Sequence, residues 1–159
     1  MRLKKKVKYT LYITLLVIII IIFNASVSFP SYNAKSLEAY LNNNIAQKTD
    51  GGIITDAYKI YGGNDQEMYL WYGFEVWNRE QQDIEAGASL PVVIQLNDQN
   101  EPISHEIPED GSNYTNSMKE LFPLYVRIRM NDTDMPGSIR HSIDMQQDSL
   151  PPSDDDESA

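Results

Sequence analysis

The sequence predicts an α+β fold: an N-terminal helix packed on a curved antiparallel sheet of about four strands, preceded by a transmembrane helix. Three observations carry that expectation. An unbroken apolar run, Leu11 to Phe23, follows a cluster of bases. A stretch with helical apolar spacing comes next, at Leu37, Tyr40, Leu41 and Ile45. After it, short β-rich runs are separated by connections of hairpin length, which favours antiparallel pairing.

The N-terminal segment divides in two. Residues 1–8 hold Arg2, Lys4, Lys5, Lys6 and Lys8 and no acid, and read as a basic cytoplasmic N-terminus. Residues 9–29 read as a transmembrane anchor or a signal peptide. As a helix at ~1.5 Å per residue they would reach ~31 Å, enough for a ~30 Å hydrocarbon core. The excess of bases before the segment implies an inside N-terminus and an outside C-terminus. The expected address is therefore the cell membrane, single-pass, with secretion if cleavage occurs near Ser26 and Ser28.

Residues 31–130 read as one extracytoplasmic α+β domain. Its first helix runs from about Ala34 to Lys48, and Asp50-Gly51-Gly52 ends it. Ile53 to Tyr61 is β-branched and aromatic. Ile54, Tyr58 and Ile60 share a face, with Asp56 as the exception. Gly62-Gly63-Asn64-Asp65 is a turn. Met68 to Trp77 is the strongest strand, apolar on both faces, so something must cover the second one. Asn78 to Gly87 reads as a polar loop. Leu90 to Leu96 is a strand. Pro102 to Ile107 is its return, with Ile103, His105 and Ile107 inward.

Past Pro108, Ser117-Met118-Lys119-Glu120 fits a capping box for a short helix. Residues 124–130 fit helix or strand, with Phe122, Val126 and Met130 favouring helix. Residues 131–159 contain no aromatic side chain and end in an acidic run, and read as a disordered tail. One helix across one face of a curved sheet is the simplest assembly, a cystatin-like or nuclear-transport-factor-like roll.

Charge and composition exclude several functions. The net charge is −10 although the first thirty residues are basic, so the rest repels nucleic acid and leaves cationic partners or divalent ions open. The absence of cysteine removes disulfides, thiolate metal sites and thiol nucleophiles. No paired-histidine spacing exists for zinc. His105 and Glu106 point to opposite faces of one strand, and His141 falls in the presumed tail. Asp132, Asp134 and Gly137 imitate a calcium loop without its remaining ligands. Ser117 and Lys119 face apart on a helix, so they form no Ser–Lys pair. No catalytic, cofactor or metal residue is therefore expected, and the chain reads as a non-enzyme.

The aromatic strand is the best functional lead. Tyr69, Trp71 and Trp77 on its second face form the candidate partner-binding surface. The plainer alternative is a central strand covered by a partner subunit or by the tail. Glu75, among these aromatics, is the candidate acid of an alternative reading, an envelope hydrolase or isomerase with a pocket there. A third reading is a structural or regulatory subunit of a membrane complex. The leading one is a non-catalytic, membrane-anchored binding or accessory module, held to the membrane through residues 9–29 and meeting an envelope or membrane protein.

Three pieces carry a resemblance: the aromatic strand from Tyr69 with its acidic loop, Ser89-Leu90-Pro91-Val92-Val93-Ile94, and Glu109-Asp110-Gly111-Ser112-Asn113-Tyr114 leading to Met118-Lys119-Glu120-Leu121-Phe122-Pro123. Together they resemble a small uncharacterised extracytoplasmic domain of Gram-positive bacteria, also seen C-terminal to some β-lactam-responsive membrane metallopeptidases. The resemblance implies an address and a fold, and no activity. Asn113 departs from the aromatic residue usual there, and no metallopeptidase machinery is present.

Overall fold

The computed structural model describes residues 5–25, 28–46, 52–78, 83–130 and 134–150. Helix α1 spans Lys5–Ala25 and α2 spans Ala34–Asn44. Four strands follow: β1 Gly52–Gly63, β2 Glu67–Asn78, β3 Asp83–Leu96 and β4 Pro102–Glu106. Three helices close the chain: α3 Tyr114–Leu121, α4 Leu124–Arg129 and α5 Gly137–Asp148. The strands lie in the order β1-β2-β3-β4, all antiparallel, in one open sheet.

The sheet is covered on both faces, so the expected one-helix roll is corrected to three layers. On the first face, alternation in β2 presents Met68, Leu70, Tyr72, Phe74 and Val76, and β3 adds Val92, Ile94 and Leu96. Helix α2 packs there through Leu37 and Leu41, both fully buried. Asn33 caps α2, its side chain accepting from the Ser36 amide at 3.2 Å. On the second face Tyr69, Trp71 and Val93 meet Phe122, Val126, Met130, Ile139 and Ile143 from the C-terminal helices and the turns around them.

Helix α5 overturns the reading of residues 131–159 as a disordered tail. Ile139 and Ile143 repeat at i and i+4 and put one apolar stripe on the sheet, which the polar average of the segment concealed. A Cβ built on Gly73 of β2 would stand 2.7 Å from Ile139 Cγ2, so the helix rests directly on the strand backbone. Residues 131–133 and 151–159, with the acidic run 154–157, lie outside the described residues.

The transmembrane helix is also corrected. Among the described residues, no helix is long and apolar enough to cross a membrane. Lys5, Lys6 and Lys8 occupy the first turns of α1. Helix α1 thus carries three bases within its 21 residues, and the expected transmembrane span is not borne out. The single-pass, signal-anchor and inside-to-outside readings fall with it. Ser26, half of the candidate cleavage site, lies outside the described residues.

Smaller differences have local causes. Most of the expected loop at Asn78–Gly87 is strand, because β3 already begins at Asp83 and pairs with Asn78; residues 79–82 lie outside the description. The first helix ends at Asn44 rather than near Lys48, and residues 47–51 are likewise outside. Of the three residues expected inward on the return strand, only His105 is half-buried, against Tyr40 of α2, while Ile103 and Ile107 are exposed. Helix α3 starts at Tyr114 instead of Ser117, whose hydroxyl accepts from the Glu109 amide at 3.0 Å. Residues 124–129 are helical.

Candidate functional site

The expected partner surface is an interior. Tyr69 is 5% exposed and Trp71 1%, both under α4, α5 and Phe122. The indole N–H of Trp71 donates to Ser89 Oγ at 2.8 Å, so its polar edge is satisfied inside the sheet. Trp77 is half-buried at the far end of β2. The three residues do not form one accessible face.

Glu75 is similarly committed. Its Oε1 accepts from Arg140 at 2.5 Å and its Oε2 from Gln147 at 2.8 Å. Gln147 also donates to Thr55 Oγ1 at 3.1 Å, and Thr55 to the Glu75 carbonyl at 3.3 Å. This polar latch fastens α5 to β1 and β2. Beside it the Gln146 side chain accepts from the Asp56 amide at 3.1 Å and donates to the Asp56 carbonyl at 2.7 Å. That two-way contact imitates a neighbouring strand and seals the outer edge of β1.

The other side chain at Asp56 opens a different site. Asp56, Tyr58 and Tyr72 share the α2 face, with Tyr58 paired to Tyr72 across the two strands. A cleft of ≈ 430 Å³ runs between α2, β1 and α5, lined by Glu38, Asp56, Tyr58, Ser142 and Gln146. Burial raises the Asp56 pKa above its ordinary carboxylate value, and Glu38 raises it further by repulsion. Hydrogen bonds from Tyr72 and Asn42 act in the opposite sense but do not cancel the rise. The Tyr72 hydroxyl and Asn42 Oδ1 are 3.0 Å apart, a contact that ties α2 to the floor. At the rim, burial and a hydrogen bond with Tyr32 hold the Tyr58 phenol protonated.

The arrangement is two carboxylates and one phenol, Tyr58, around an open volume. It suits a cation: an ammonium or guanidinium is attracted to Glu38 and Asp56 and meets the Tyr58 ring at the rim. No group of three or more His, Asp or Glu side chains is placed to hold a metal ion among the described residues. His141, read as part of a tail, is exposed on α5. His105 Nδ1 is 3.0 Å from the Tyr40 hydroxyl and serves the packing of α2 on β4.

The chain matches no protein-family model, no curated protein and no solved structure.

Sequence reasoning noticed Asp56 only as an irregularity in an apolar face. That irregularity was the available signal, because a carboxylate at a core-facing strand position is retained at a cost. Its partner Glu38 gave none, being one of several polar residues on α2.

Proposed function

We propose that this protein is a non-catalytic binding or accessory module whose cleft at Asp56 and Glu38 receives a cationic side chain of a partner protein. The observation that carries the reading is a half-buried carboxylate facing an open cleft, its pKa raised by burial and by a second acid. A carboxylate in that state gains from an incoming positive charge, which relieves both the desolvation and the repulsion. Ser142, the serine that lines the cleft, donates its hydroxyl to the Ser138 carbonyl at 3.0 Å. Glu75, the one acid with an earlier claim to chemistry, has both oxygens engaged by α5.

An NMR titration of the full chain with a blocked Gly-Lys-Gly peptide, and with its acetyl-lysine twin, tests the proposal. The amides of Asp56 and Tyr58 shift with the charged peptide and stay still with the acetylated one. Asp56→Asn or Glu38→Gln weakens binding by about tenfold, as expected for loss of one charge partner in a partly desolvated site. Equal shifts from both peptides would remove the case for a cation site.

A further inference from the structure

The two long strands that border the sheet are treated differently. The outer edge of β1 is clasped by Gln146 and lies beside α5. Strand β3 pairs with β4 only over Val93–Leu96, opposite Pro102–Glu106. The stretch from Ala86 to Leu90 is paired with β2 on one side and lies beyond the end of β4 on the other. It reads Ala-Gly-Ala-Ser-Leu, without a charge or a proline, and Pro91 then stops further pairing. Open edges are usually guarded by charges, prolines or bulges; here the register shift at Glu85 and Pro91 stand at the two ends of the stretch, and the five residues between them carry neither a charge nor a proline.

An apolar groove of ≈ 350 Å³ runs beside that edge, lined by Ile45, Phe74, Ala86, Ala88, Leu90 and Ile107. Small side chains at 86 and 88 leave its floor empty, and Ile107 is 41% exposed on its wall. Exposed acids lie near its ends in the chain: Asp83 at the start of β3, and Glu106 and Glu109 on either side of Ile107. A free strand edge, a groove for alternate side chains and acidic flanks are the elements of recognition by strand addition.

We infer that the Ala86–Leu90 edge of β3 binds an extended segment of a partner protein, apolar at every second residue and basic at its ends. The segment adds as a fifth strand beyond β3. Its apolar side chains enter the groove, and its terminal bases face Asp83, Glu106 and Glu109. This surface is two strands away from Asp56 and stands whether or not the cleft there binds a cation.

The probe is a fluorescein-labelled peptide, Lys-Val-Thr-Val-Thr-Val-Thr-Lys, followed by anisotropy with the full chain. A twin N-methylated at alternate residues keeps the composition and loses the edge hydrogen bonds. The unmodified peptide binds saturably, and the twin binds about tenfold more weakly or not at all. Ala88→Phe, which fills the groove, weakens the unmodified peptide about tenfold, while the N-methylated twin, which keeps both lysines, accounts for any binding through the Asp56 cleft. If Ala88→Phe loses its near-UV dichroism, the twin alone decides. Equal binding of the twin, or no saturable binding, overturns the inference. So does a peptide-free dimer in sedimentation that Ala88→Phe disperses, because the edge then belongs to a second copy.

Discussion

The two faces of the sheet are held by different forces. Under α2 the contacts are aliphatic and aromatic, and Leu37 and Leu41 carry them from a helix close in the chain. Under α5 the contacts are mixed. Ile139 and Ile143 lie on Trp71 and its neighbours, and a polar latch of Glu75, Arg140, Gln147 and Thr55 stands next to them. The α2 face rests mainly on buried apolar area, with the Tyr72–Asn42 and Tyr40–His105 contacts at its margins. The latched face needs particular residues in register, from positions 65 to 92 apart in the sequence. The difference teaches that a helix with a narrow apolar stripe can still complete a core when polar groups fix its placement.

The comparison breaks most directly by removing one cover. A chain ending at Pro136 uncovers Trp71 and leaves Glu75 without Arg140 and Gln147. It should lose cooperative thermal unfolding and near-UV dichroism. A truncated chain with an unchanged melting curve would mean that α5 is an ornament. A smaller effect separates latch from grease. Glu75→Ala should cost about 1–3 kcal/mol, because Gln147 loses a buried acceptor. Arg140→Ala should cost less, since its side chain is 46% exposed and water screens the ion pair. Urea unfolding of both variants checks the order, and a larger loss from Arg140→Ala would reverse the assignment.

The smallest effect has the opposite sign and belongs to the α2 face. The folded pKa of Asp56 is raised above 3.8, so the folded protein holds that proton more tightly than the unfolded chain. Its contribution is fully present below the unfolded value and is lost as pH rises through the folded one. Asp56→Asn removes this loss. The variant should melt at a higher temperature near neutral pH and show a flatter decline above pH 4. A lower melting temperature near neutrality would mean that the carboxylate stabilises the fold in a way its surroundings do not suggest.

Much of the α2 face was legible in the sequence. Leu37, Leu41 and the alternation from Met68 to Val76 follow periods that a single pass detects. The second face was legible as a need, since a strand apolar on both sides requires a second cover, with a partner subunit or the tail as the plainer candidates; the tail segment supplies it. How it does so was hidden, because α5 holds two buried isoleucines among serines, glutamines and aspartates. Aromatic residues that look like a binding surface when no cover is in sight become core once it is found. The long apolar run before the domain misled in the other direction, since length and composition along the chain do not by themselves make a span. For the candidate site, Asp56 stood out by breaking a pattern. Glu38 and the end of β4 did not, because spatial juxtaposition across layers leaves no trace in spacing.

Gly73 gives the layered arrangement an unexpected sensitivity. The distance between β2 and α5 is set there by a missing atom, with Ile139 Cγ2 and Met135 Cε filling the space a methyl group would take. A tolerance that narrow makes the helix a wedge-sensitive lid. The smallest side-chain addition available to chemistry, placed at residue 73, would act at a distance on every contact α5 makes, without altering a single residue of either core.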